Sequence, residues 1–577
     1  MATDSGLNSR QGTILKSKSN RKWIFPVFAC GLYAVLYLSL IYYPGLVRMD
    51  DFGYLQGVIE TLAQGRIQTH QWLEPYSASL SALSSIAYLT TGNFPLSTWG
   101  FQSLFVFFNV ALLYRLFRFR LDSKASSILA LVIGSNPVYW HKCSEFGGTV
   151  TTVTFVLLSL WAYLSGRWMW FFLTAFLAFS NRQNSIALLA LPVYHFYSGQ
   201  SHKDKTGTKA SPGWASRWAL VAGVILFIAG ALFLHSQMNQ TIAQQYGIYA
   251  GMNPGKVSAI LHTQLFGIFS GLAFLSIFGL LTGENPRQNL RTNFREPKAL
   301  LILTLGLWLL PIFWSMPLIS FLTPLIGSVD RTFFLQKILL VVIPILLWTL
   351  DYRHLKLDGP FCLFAAYIFM SGLRGYWYDF YLIDVALAAL FFRFTREGTF
   401  SMGPWPIVVA GLLFAANVGW GYGYKLLSDK QKLSVSVYEN LERTGKTKVE
   451  DMTDATFGYL GWKLFDQYWH HERITYLANF MCYGRRDRVV IESELPWRRT
   501  FKSGEATGNV VESGLASIGF FQLRYRVLDK HSSSNIPFCE SEPLVLDRSS
   551  FRIKPFPLNE REWSQYVEEQ RQQIRDR

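Results

Sequence analysis

Cysteine is scarce in this sequence, with five in 577 residues, which excludes a disulfide scaffold. Cys30 and Cys362 fall in apolar runs and read as packing residues. Cys482 and Cys539 share the polar C-terminal region, where an oxidising compartment would allow them to pair. No Gly-rich run ends in Lys-Ser or Lys-Thr, so a nucleoside triphosphate is not the expected energy source. The adjacent His470, His471 and Glu472 lack metal-ligand spacing, because helical neighbours point about 100° apart. There is no internal repeat and no low-complexity tract. Charge is also missing over long distances: residues 23–43, 101–114, 150–165, 217–235, 298–322 and 333–350 hold almost none.

Many of those apolar runs are long enough to cross about 30 Å of hydrocarbon as helix. Trp and Tyr gather at their ends, where an amphipathic ring sits at the headgroup level. The pattern predicts a polytopic membrane protein in contact with membrane lipid. The net charge of +16 does not point to nucleic acid, because Lys and Arg lie mostly in short loops between the apolar runs. A basic leader with Lys16, Lys18, Arg21 and Lys22 precedes Trp23–Tyr43, which is long and has no small-residue cleavage site. It reads as an uncleaved first span with the N-terminus inside.

About thirteen spans are expected, near 23–43, 97–117, 125–141, 150–166, 167–180, 185–199, 217–235, 259–282, 298–322, 333–351, 360–374, 379–397 and 404–422. The inner loops then carry Arg115, Arg118, Arg120 and Lys124, later Lys203, Lys205, Lys209 and Arg217, and later Arg287, Arg291, Arg295 and Lys298. The outer loops are poorer in Lys and Arg, as the positive-inside rule requires. The expected architecture is an all-α membrane domain over 23–424, behind a cytoplasmic leader at 1–22. An α+β extracytoplasmic domain over 425–577 follows it. Within that domain a helical stretch is expected at 453–484, strands at 488–494 and 520–528, and a helix from Asn559 onward.

The first outer loop, 44–97, is the longest between spans. In it Phe52, Leu55, Val58, Ile59 and Leu62 recur at helical spacing, with Gln56, Glu60 and Gln64 on the other side. This predicts an amphipathic helix in the interface, beginning just after Asp50 and Asp51. Ionisable groups at a membrane face are functional candidates. Arg48-Met49-Asp50-Asp51-Phe52-Gly53-Tyr54 is the sharpest such group, and its two carboxylates suit a base, a metal ligand or a helix cap.

An acidic pair followed by an aromatic, directly after the first span and opening an interfacial helix, resembles the C-type glycosyltransferase superfamily. Its members include protein O-mannosyltransferases, the lipid A aminoarabinose transferase and related bacterial polyprenyl-phosphate-sugar transferases. The resemblance extends through Ala63-Gln64-Gly65-Arg66, Asn136-Pro137, Glu145 and Asn181-Arg182-Gln183-Asn184, and covers about the first 200 residues. The family pair is commonly Asp-Glu; here it is Asp-Asp. The resemblance implies transfer of a sugar from a polyprenyl-phosphate carrier to an acceptor hydroxyl on a glycan, lipid or protein. Asp50 then matches the general base, while Asp51 caps the helix or orients the acceptor. Glu145 is a second acid, facing the acceptor or helping to hold a divalent cation, the one cofactor candidate. Arg182, Arg331 and Arg374 are the expected partners of the leaving phosphate, since guanidinium forks fit phosphate oxygens. Tyr54 and Tyr376 are candidates for further substrate contacts. The implied setting is a bacterial inner membrane with the C-terminal domain outside, where it would bind acceptor.

Three other readings compete. A transporter or flippase of lipid-linked glycans would show two similar halves, which this chain does not. An O-antigen polymerase or ligase would carry its large outer loop late in the chain, whereas here it is early. An assembly role with a degenerate site is separated only by assay.

Overall fold

The computed structural model describes residues 24–44, 51–67, 77–198, 214–236, 254–283, 286–293, 295, 346–347, 350, 357–373, 381–395, 402–443, 488–492, 509–518, 521–529 and 563–576. The spans expected at 298–322 and at most of 333–351, and the helix expected at 453–484, lie outside these residues. So do Cys482, Cys539, Asp50, Arg331, Arg374 and Tyr376.

The first span is α1 (Ile24–Leu40). Tyr33 and Tyr37 are buried on one side, while Val27, Phe28, Val35 and Leu38 are exposed on the other, an apolar surface suited to acyl chains. The expected amphipathic helix is α2 (Asp51–Gln64). It ends at Gly65, whose φ of +65° needs a residue without a Cβ. Leu55, Val58 and Ile59 are fully buried and Leu62 nearly so, but their cover is protein. They pack with Leu80, Tyr88, Phe94, Trp99 and Phe146, and with C-terminal residues described below. Burying a side chain of that size stabilises by about 1.5–3 kcal/mol.

The rest of the first outer loop is also helical: α3 (Ala78–Thr91) is followed by a π-turn at Leu96–Gly100 that runs straight into α4 (Phe101–Phe117). Instead of one span at 125–141 there are two helices, α5 (Ser123–Gly134) and α6 (Pro137–Ser144). Asp122 caps the first through Ala125 N–H at 2.7 Å, and Asn136 caps the second through Tyr139 N–H at 2.9 Å. Pro137 at the start of α6 has no N–H to leave unsatisfied, so the chain restarts there cleanly.

Next come α7 (Gly148–Leu164) and α8 (Trp168–Asn181), which pack as an antiparallel pair across a tight turn. A 3-10 segment, Gln183–Leu189, leads into α9 (Ala190–Ser198). Then follow α10 (Trp214–Ser236), α11 (Pro254–Leu281), the short polar α12 (Pro286–Asn293), α13 (Gly359–Gly372), α14 (Tyr381–Thr395) and α15 (Pro404–Arg443). The last of these does not stop at 422 but continues for 40 residues in all.

Among the described residues, Leu96–Phe117, Thr263–Leu281 and Pro404–Leu426 are each long and apolar enough to cross a membrane, and six shorter apolar helices accompany them. The chain is an integral membrane protein. Its helices meet through polar contacts typical of a lipid solvent, where the interior cannot rely on exclusion of water. Asn109 Nδ2 donates to Tyr139 OH at 2.7 Å and to Val150 O at 3.1 Å, tying α4 to α6 and α7. Asn417 Nδ2 donates to Val132 O at 2.9 Å, and Thr263 Oγ1 to Gly372 O at 2.6 Å.

Toward the C-terminus three strands form an antiparallel sheet in the order β1 (Arg488–Glu492), β3 (Phe521–Asp529), β2 (Asn509–Ile518), with a bulge between Val510 and Glu512. The final element is α16 (Trp563–Arg575). It does not stand apart: it lies against α2, with Trp563, Tyr566 and Val567 inside the α2 cluster.

Candidate active site

The described candidate residues converge at one end of the bundle, where α2 begins, α6 gives way to α7, and α8 ends. The Asp51 carboxylate is fully buried, and its Oδ1 accepts the backbone N–H of Phe146 at 2.7 Å. This contact makes the start of α2 and the α6–α7 loop one unit. Gln102 from α4 completes the clamp: its Nε2 donates to Glu145 O, and its Oε1 accepts from Gly147 N–H at 3.0 Å. Tyr54 lies along the same loop. A Cβ on Gly147 would come within 3.0 Å of Tyr54 Cε2, so the glycine sets how closely that ring approaches.

Glu145 is no solvated loop acid. It is buried, with Oε2 at 2.6 Å from Lys142 Nζ and Oε1 at 3.4 Å from His141 Nε2. Both partners come from the last turn of α6, the end at which the helix dipole favours a cation. The middle of α15 braces this group: Tyr424 meets the His141 ring edge-on at 5.7 Å and shares a 2.8 Å hydrogen bond with Ser144.

From the loop the connection continues to α8. Gly148 approaches Tyr54 and the Asn181 carbonyl, and Asn181 Oδ1 accepts Leu80 N–H at 3.0 Å from the start of α3. Arg182, the next residue, has extended backbone that ends α8 and turns its side chain into the bundle. It is 5% exposed, and its NH1 lies 3.3 Å from Oδ2 of Asp384 on α14. Removing two charges from water is costly, and pairing offsets that cost only where both charges stay. Arg182 is thus charge-compensated before any anion arrives. Next to it, Asn184 Nδ2 donates to Ser371 Oγ at 3.4 Å, linking the 3-10 segment to α13.

Asp51, Tyr54, Glu145 and Arg182 therefore stand along one path of neighbouring groups. Asp384, Gln102, Lys142 and His141 belong to it and were missed by sequence reasoning. The signals were there in part: Asp384 is a lone carboxylate inside an apolar run, and Lys142 lies one helical turn before Glu145. Gln102 carried no signal.

Among the described residues no group of three or more His, Cys, Asp or Glu side chains converges, and both Glu145 oxygens are already faced by cationic or donor groups.

No family model matches the chain, and no curated protein does. Among solved structures, ArnT from Cupriavidus metallidurans is similar in its apo state at 12% identity, with 88% of this chain and 98% of that chain covered and a TM-score of 0.39. The same protein bound to undecaprenyl phosphate is similar at 11% identity, with 89% and 98% covered and a TM-score of 0.38. At those TM-scores the likeness carries no argument about the chemistry of this chain, which rests on its own residues.

Proposed function

We propose that this chain is an integral membrane glycosyltransferase that moves a sugar from a polyprenyl-phosphate donor to an acceptor hydroxyl at the outer membrane face. The observation that supports it best is the union of two acidic segments, 95 positions apart, through the Asp51–Phe146 hydrogen bond. Asp51 is committed to holding that loop, which leaves the preceding Asp50 for the reaction. Asp50 takes the acceptor proton as the acceptor oxygen forms its bond to the anomeric carbon. The bond from that carbon to the phosphate oxygen breaks, and polyprenyl phosphate departs with the electron pair. A carboxylate of pKa about 3.9 is a weak base, so Asp50 acts by accepting the proton as the bond forms.

Cationic groups lower the cost of the departing charge, in the manner of a preorganised anion site. Arg182, Arg331 and Arg374 take this role in the proposal, and Asp384 holds Arg182 in its rotamer until the phosphate is present. Tyr54 and Tyr376 contact the sugar or the acceptor. No step is routed through a metal ion. The acceptor is a glycan, lipid or protein, and residues 425–577 stand outside a bacterial inner membrane and bind it.

The test is transfer in membranes supplied with a polyprenyl-phosphate sugar. Asp50→Asn should lower transfer about 100-fold or more, the usual worth of a general base, while the protein accumulates normally. Wild-type transfer by that variant would reject Asp50 as the base.

A further inference from the structure

The C-terminal helix α16 carries few apolar residues, yet Trp563, Tyr566 and Val567 recur at i, i+3 and i+4 and are almost completely buried. Trp563 is fully buried. Its ring stacks on Phe94 at 5.2 Å between centroids and meets Trp99 nearly edge-on at 5.7 Å. Trp99 in turn lies 6.0 Å from Phe146, the residue whose N–H is held by Asp51. The helix is fastened at two further points: Tyr88 OH donates to Glu568 Oε1 at 3.2 Å near its middle, and Arg575 Nε donates to Ala63 O at 3.3 Å at its end.

We propose that Trp563 is a positioning residue: through Trp99 it fixes Phe146, and so sets the loop that carries Glu145 against the start of α2. A helix serving only as a solvated terminus would have no reason to insert its bulkiest side chain against two aromatic rings of another segment, Phe94 and Trp99. Phe94, Trp563, Trp99 and Phe146 follow one another at different mutual tilts with little slack, so loss of the Trp563 ring opens space beside Trp99, the ring against Phe146. The consequence for catalysis rests on the sugar-transfer reading; the coupling of Trp563 to the loop does not.

The test uses the full chain in lipid nanodiscs and compares wild type with Trp563→Ala, Trp563→Leu and Trp563→Phe. Hydrogen exchange is followed by mass spectrometry in peptides covering 145–150. Removal of the ring should speed local exchange about tenfold, with Trp563→Phe close to wild type, because a ring remains to stack. If Trp563→Ala does not accumulate, Trp563→Leu answers the same question, since it keeps apolar volume without a ring face. In transfer assays with a polyprenyl-phosphate sugar, kcat should fall about tenfold with the donor KM unchanged, as misplaced reacting groups produce. Unchanged exchange at 145–150 in folded Trp563→Leu, or failure of Trp563→Phe to restore it, overturns the proposal. Absence of any transfer by the wild type would instead sink the catalytic reading and leave the exchange result standing.

Discussion

Asp51 and Phe146 meet across 95 positions of chain, carboxylate to backbone N–H, at 2.7 Å. Both groups are buried, so a donor left without this acceptor would have no water to replace it. A carboxylate engaged with a backbone donor in this way holds the loop against the start of α2.

Asp51→Ala should therefore act on structure first. It leaves the Phe146 N–H buried without that acceptor, at a cost of about 1–3 kcal/mol. Asp51→Asn keeps an oxygen in place and should lose less. Thermal unfolding in detergent measures both; equal stability of wild type and Asp51→Ala would show that the bond contributes nothing.

The pair of Arg182 and Asp384 makes a second prediction. Arg182→Met alone strands a buried carboxylate and should destabilise by about 3–5 kcal/mol, whereas Arg182→Met with Asp384→Leu should recover most of that loss. Transfer should stay low in the recovered double variant, because the guanidinium is still missing. A double variant that is stable and fully active would remove Arg182 from the phosphate site.

Gly147 gives a steric test. A side chain there meets the Tyr54 ring at 3.0 Å from its first carbon onward, so Gly147→Val must push the ring or the loop aside. The expected cost is about 1–3 kcal/mol, as for other overpacked sites. Gly147→Val with Tyr54→Ala should regain stability, and a double-variant cycle that shows no coupling would place Tyr54 elsewhere.

Alkaline pH should release the C-terminal helix. Burial pushes the Tyr566 phenol well above its ordinary value, and burial with the nearby Glu568 carboxylate pushes Tyr88 up as well. A phenol with a raised folded pKa stays neutral when the unfolded form ionises. Its stabilisation is intact below about pH 10 and is lost as pH climbs through the folded pKa. Proteolytic removal of a tag placed after α16 should rise above pH 10, and Tyr566→Phe should delay that rise. Release at neutral pH, or no change in Tyr566→Phe, would contradict the assignment.

Much of the fold was legible where apolar spacing is strong. The spacing from Phe52 to Leu62 marks α2, and the expected strands at 488–494 and 520–528 are β1 and β3 within two residues. The helix expected from Asn559 begins at Trp563. What stayed hidden has physical causes. Helix α3 is rich in serine, and its hydroxyls turn inward to bond backbone or sit among other helices, so no apolar stripe announces it. Strand β2 has Glu512 and Gly514 and a bulge, which break the alternation. Asn136-Pro137 signalled a helix restart, yet the surrounding hydropathy read as one span. At the site, Asp51, Glu145 and Arg182 stood out in the sequence as ionisable groups at the ends of apolar runs, in stretches that resemble family motifs. Asp384 showed only as a lone carboxylate in an apolar run, and Gln102 gave no signal, because its partners lie far away in sequence.

The most direct measurement is made on purified protein in nanodiscs loaded with a polyprenyl-phosphate sugar labelled in both the sugar and the lipid. Sugar transfer predicts that one polyprenyl phosphate is freed for each sugar joined to acceptor, and that Asp50→Asn stops both together. Movement of the intact labelled donor across the bilayer, with its sugar–phosphate bond uncut, would contradict the account.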